Sequence, residues 1–98
     1  MKRIETRDLY CGAYILSRGG MLEETRLEEM RGGKPSVTFL FSGEEVELYL
    51  SEYNSGQALV NAAGFKAALI HLKDVMFERI RDRERKNERE IHGGKRKP

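Results

Sequence analysis

Residues 61–80 read Asn61-Ala62-Ala63-Gly64-Phe65-Lys66-Ala67-Ala68-Leu69-Ile70-His71-Leu72-Lys73-Asp74-Val75-Met76-Phe77-Glu78-Arg79-Ile80. The fold turns on this stretch. Phe65, Leu69, Leu72, Met76 and Ile80 follow 4-3-4-4 steps with Ala68 and Val75 beside them, which keeps them on one side of a 3.6-residue helix. Asn61 suits the N-cap, because its side-chain oxygen can accept a free backbone N–H of the first turn. The helix is predicted to run to about Ile91. Past Ile80 the same side carries Arg83 and apolar residues almost vanish, so the helix is expected to outgrow whatever it packs on.

The rest of the chain has to supply that body. Val37-Thr38-Phe39-Leu40-Phe41 is β-branched and aromatic, with Val37, Phe39 and Phe41 on one face of a strand. A lone strand leaves its backbone groups unpaired. Met21–Met30 can be read two ways: Thr25, Leu27 and the flanking glutamates suit a strand, while Leu22, Arg26 and Met30 have helical spacing. Its neighbour decides it. Joined through Arg31-Gly32-Gly33-Lys34-Pro35, it is the nearest partner for the clear strand, and the pair is expected to form an antiparallel hairpin.

Ahead of the hairpin, residues 1–5 read as a loose or briefly extended arm anchored by Ile4. Thr6 is the expected cap of a first helix with Leu9, Ala13 and Leu16 on its apolar side, Tyr10 and Tyr14 on the flank, and Gly19-Gly20 as its stop. After the hairpin, Ser42 and Glu45 have capping-box spacing. The helix they would open carries Val46, Tyr49, Leu50 and Tyr53 on one side and ends at Asn54-Ser55-Gly56. Ala58-Leu59-Val60 is read as extended, a candidate third strand. The expected class is α+β: helix, β-hairpin, helix and long C-terminal helix, with a small two- or three-stranded antiparallel sheet packed on helices. One domain over residues 1–80 and a charged helical extension with a disordered basic tail over 81–98 complete the plan.

Composition limits the function classes. With 98 residues there is room for one modest core. The net charge of +2 conceals an asymmetry: residues 78–98 carry nine basic and five acidic side chains, a balance of +4, against −2 over residues 1–77. Solubility and binding explain such a tail equally well. Cys11 is the single cysteine, so a disulfide framework is excluded and a reducing compartment, the cytoplasm, is expected. No run approaches the eighteen or so apolar residues needed to cross a bilayer, so no membrane association is expected.

Thr6-Arg7-Asp8-Leu9 precedes an alanine-containing helix and glycine, and Val37–Phe41 precedes an acidic helix. Ser55-Gly56-Gln57-Ala58-Leu59-Val60 then leads into a helix containing Leu72-Lys73. Together these features resemble a small uncharacterised domain family of bacteria and bacteriophages. The resemblance spans roughly residues 6–80 and leaves the basic tail outside. It implies a compact α+β domain of a mobile-element protein, and it brings no catalytic residues to carry over.

The residues themselves argue against catalysis. His71 and His92 stand 21 apart with no HxxxH or CxxC pairing, so no metal or other cofactor is expected. The glutamates Glu23, Glu24, Glu28, Glu29, Glu44, Glu45 and Glu47 could serve a metal-dependent nuclease, yet Val37–Phe41 carries no carboxylate and no Glu-x-Lys follows it. Solvated faces explain them better. Cys11, between Tyr10 and Gly12, reads as a small buried thiol, and no Gly-x-Ser-x-Gly elbow occurs. The Gly32-Gly33 segment lacks P-loop spacing and reads as a turn.

Two binding classes remain. Arg83, Arg85, Lys86 and Arg89 crowd the helix end and Lys95, Arg96 and Lys97 follow, a row that could neutralise nucleic-acid phosphates without sequence preference. Glu78, Asp82, Glu84, Glu88 and Glu90 are interleaved with them, which dilutes that signal. The second class is protein interaction. Ile70 and Phe77, seven residues apart, lie off the main apolar side and form a narrow second stripe beside Ala63. The simpler expectation is that the first or second helix covers it within the monomer. Left uncovered, it would let two copies pair along the long helix as a homodimer, or receive another protein. The function expected is a non-enzymatic accessory or interaction protein, with nucleic-acid binding through the tail as the alternative.

Overall fold

The computed structural model describes residues 2–29 and 32–93, with the backbone alone over 87–93. The elements run β1 (Arg3–Thr6), α1 (Leu9–Arg18), β2 (Met21–Glu29), β3 (Pro35–Ser42), α2 (Val46–Ser55) and α3 (Ala62–Gly93). The class is α+β, and the sheet is antiparallel with order β1-β3-β2. The hairpin forms as expected.

The third strand lies elsewhere than expected. Ala58-Leu59-Val60 is irregular, and the arm at the start of the chain supplies β1 instead. Ile4 pairs with Phe41 and Thr6 with Phe39. The physical reason is β3, whose Phe39 and Phe41 are fully buried. A central, buried strand must satisfy its backbone groups on both edges. Arg3-Ile4-Glu5-Thr6 alternates exposed and half-buried residues, which is the pattern of a strand with one dry face.

A bulge resolves the ambiguity of β2. Leu22 pairs with Phe41 and Glu24 with Leu40, so Glu23 is the extra residue. The shift turns Leu22, Thr25 and Leu27 to one face despite spacings of three and two; of the residues with helical spacing, Arg26 lies on the opposite face beside Glu5, and Met30 lies outside the described residues. Rows Ile4–Phe41–Leu22 and Thr6–Phe39–Thr25 then line the dry face. The other face is polar: Arg26 pairs with Glu5 and lies 3.5 Å from Glu24, and Arg7 lies 3.5 Å from Glu28.

The helices cover the dry face. Cys11, Ala13 and Ile15 of α1 meet Val37, Phe39 and Phe41 of β3, Val46 of α2, and Ala68 and Leu72 of α3 in one core. Tyr14, expected on a flank, is itself fully buried. A Cβ added at Gly12 would stand 3.0 Å from Leu72 Cδ1 and 3.3 Å from the Phe41 ring, so the missing side chain is what lets α1 sit this close to α3 and the sheet.

Both expected caps on the first two helices move. Asp8, not Thr6, caps α1: its Oδ1 accepts from Tyr10 N at 3.0 Å and Cys11 N at 3.2 Å, while Thr6 Oγ1 accepts from Asp8 N. Thr6 is held extended by its pairing with Phe39 and so stands outside the helix. Ser42 fails as a cap for the same reason. It pairs with Arg3 and Met21 as the last residue of β3, its hydroxyl donates to Glu23, and α2 starts at Val46, where Glu45 makes no side-chain cap. Asn61 does cap α3, accepting from Gly64 N at 2.9 Å.

Candidate protein interface

Phe65, Leu69, Met76 and Ile80 pack against the core around buried Ala68 and Leu72, as the periodicity required. Among the described residues, Ile80 is the last apolar side chain of α3 to do so. One turn later Arg83 Nη2 reaches Glu29 Oε2 at 2.9 Å, so a cation continues the inner side of the helix where apolar residues stop.

Turning the helix by half a revolution brings the other face into view. Ile70 is 49% exposed and Phe77 50% exposed. The simpler expectation, that α1 or α2 covers this stripe, is therefore overturned. α1 packs on the inner side of α3 through Gly12 and Leu72, and at about 100° per residue Ile70 and Phe77 point nearly opposite to Leu72. One helix cannot be on both sides. Ala63 and Ala67, in line with them, are exposed too, which makes the stripe shallow and lets another backbone approach it.

Charged residues flank the stripe as well. Lys66 and Lys73 stand along one border, His71 and Glu78 along the other, and Asp74 lies within the stripe between Ile70 and Ala67, all exposed. Their signal was legible in principle, as like charges seven or four residues apart beside an apolar pair, but it acquires meaning only once the stripe is known to be open.

The cationic candidates fare differently. Arg83 is held by Glu29, Arg85 lies 3.7 Å from Asp82, and Arg81 lies 3.2 Å from Glu78. Lys86 is exposed. The side chain of Arg89 and all of Lys95, Arg96 and Lys97 lie outside the described residues. Carboxylates thus accompany the arginines along the described part of the extension, which lowers the charge it could offer to a phosphate backbone.

A second polar cluster joins α1 to α2. Tyr14 Oη donates to Glu52 Oε1 at 2.7 Å, and Arg18 Nη1 donates to the same phenol at 2.6 Å and to Glu52 at 2.5 Å. The Arg18 guanidinium lies 4.7 Å from the Tyr49 ring centroid, within cation–π range. Tyr53 Oη donates to Asp8. Burial pushes the Tyr14 phenol above the ordinary tyrosine range and its bond to Glu52 adds to this, with Arg18 opposing. Tyr49 and Tyr53 are raised as well, again chiefly by burial. These contacts tie the first half of the chain to the second.

The cluster predicts an alkaline weakness. The folded chain holds the Tyr14 proton more tightly than the unfolded one. Its contribution is therefore full below about pH 10 and is lost as pH rises through the folded-state value. Urea unfolding between about pH 8 and 11 should show stability falling at the upper end, with a shallower fall in Tyr14→Phe. An identical slope in that variant would assign the loss to other groups.

Burial also pushes the Cys11 thiol up from its ordinary range, which suits an inert core residue. Among the described residues, no three His, Cys, Asp or Glu side chains come together in a way that could hold a metal ion, and no helix is long and apolar enough to cross a membrane. No family model, curated protein or solved structure matches the chain.

Proposed function

We propose that this protein is a small non-enzymatic accessory module that associates with a second copy of itself through the outer face of α3. The observation that carries the reading is the half-exposure of Ile70 and Phe77, two turns apart on a rigid helix whose opposite side is anchored in the core. An apolar stripe bordered by charges is the usual composition of an interaction surface. A second copy brings an identical stripe, so no foreign partner need be invoked. The resemblance to small bacterial and phage domains fits an accessory role, and the single buried thiol supports a cytoplasmic setting. Nucleic-acid binding through the tail is the weaker reading, because Glu29, Asp82 and Glu78 already accompany three of its arginines.

Ile70→Ser tests this. Each dimer would lose two half-buried isoleucines, so the dissociation constant should rise about tenfold or more in sedimentation equilibrium. Unfolding of the isolated monomer should change by no more than about 0.5 kcal/mol, as for an exposed position. Unchanged association would remove Ile70 from the interface.

A further inference from the structure

Granted the self-association just proposed, we infer that the two copies align in parallel, their α3 helices running in the same direction about a two-fold axis along the seam. The borders of the stripe carry the inference. Written as a heptad, Ile70 and Phe77 occupy d, Ala67 and Asp74 occupy a, Lys66 and Lys73 occupy g, and His71 and Glu78 occupy e. Residues at e and g set orientation, because they are the charges that meet across a helix pair.

In a parallel pair each g residue faces the e residue five positions further along the other helix. Lys73 of one copy then meets Glu78 of the second, and the same lysine lines the hole that receives Asp74. That pair forms twice by symmetry, and Lys66 meets His71 of the other copy. In an antiparallel pair, g faces g and e faces e. Lys73 and Lys66 would meet the same lysines of the second copy across a seam only about two heptads long, with no carboxylate on that side to offset them. Like charges held together oppose association.

The parallel arrangement has its own cost, since the two Asp74 carboxylates approach the axis. Each has a Lys73 of the other copy beside it, and a polar residue at a single a position fixes register in coiled coils. The bodies do not interfere, because the core lies on the opposite side of α3 from Ile70. Both charged extensions emerge at the same end.

Two variants at exposed positions decide the orientation. Ala63→Cys places a thiol at the start of the seam, in line with Ile70 and Phe77. In the parallel pair the two thiols face each other and mild oxidation should yield a disulfide-linked dimer. In an antiparallel pair centred on the contact they would stand ~27 Å apart at 1.5 Å per residue, far beyond the roughly 7 Å between Cα atoms that a disulfide spans. Ser51→Cys, exposed on α2, reports random collisions, and the native Cys11 is buried out of reach. Lys73→Glu supplies the second measure. It should weaken a parallel pair about tenfold or more by setting glutamate against Asp74 and Glu78. An antiparallel pair would be unaffected or tightened, since a lysine–lysine contact is removed. A dimeric sample in which Ala63→Cys links no faster than Ser51→Cys, or in which Lys73→Glu binds as well as the native chain, overturns the parallel arrangement and leaves self-association standing. A native chain that stays monomeric overturns both.

Discussion

Leu72→Ala should cost about 2–5 kcal/mol in chemical denaturation, the range of large-to-small changes at buried leucines. Leu72 is fully buried, and three elements converge on it: α3 carries it, α1 brings Gly12 against its Cδ1, and β3 presents the Phe41 ring to the same spot. Collapse into the space is limited. Gly12 has no side chain to swing inward, and Phe41 is held by its place between Ile4 and Leu22 in the sheet. The cavity therefore persists, which favours the upper half of the range. A loss below about 0.5 kcal/mol would mean that α3 is not seated on this face.

Phe77→Glu should do the opposite: abolish association and spare the fold. In the monomer Phe77 is half-exposed, so the carboxylate stays hydrated and unfolding should shift by no more than about 0.5 kcal/mol. In the dimer it would enter an apolar contact twice, beside Glu78 and Asp74. Burying a charge without a partner costs several kcal/mol, and ~4 kcal/mol already corresponds to about a thousandfold in the dissociation constant. Circular dichroism should report unchanged helix. An unfolded variant would put Phe77 in the monomer's own core.

What was legible in the sequence follows how local each cause is. The inner face of α3, from Phe65 to Ile80, is a periodic pattern over four turns and was readable in full. So was β3, because Val37, Phe39 and Phe41 alternate strictly. β1 was missed because four residues with one isoleucine carry little signal of their own. Its existence follows from the need of buried β3 for a second paired edge. Ser42 and Glu45 have a capping box's spacing, yet sheet pairing keeps Ser42 extended. A tertiary demand displaced a local one there, as it did at Thr6.

The candidate interface was half legible. Spacing alone put Ile70 and Phe77 together off the main face, but whether another helix covered them depended on where α1 docks. Gly12 settles that by admitting α1 on the Leu72 side. The charges of Lys66, Lys73, Asp74 and Glu78 gained significance only after that. Tyr14 was misread as flank because its partners, Glu52 and Arg18, meet it from 38 residues and one turn away.

On the proposed reading, the outer face of α3 joins two copies. Light scattering on size-fractionated native protein, with Phe77→Glu run beside it over ~10 µM to 1 mM, tests it most directly. The native chain should approach twice 11.3 kDa as concentration rises, while Phe77→Glu should hold at 11.3 kDa throughout. A native chain fixed at the monomer mass across the series would contradict the account, as would a variant whose mass rises with it.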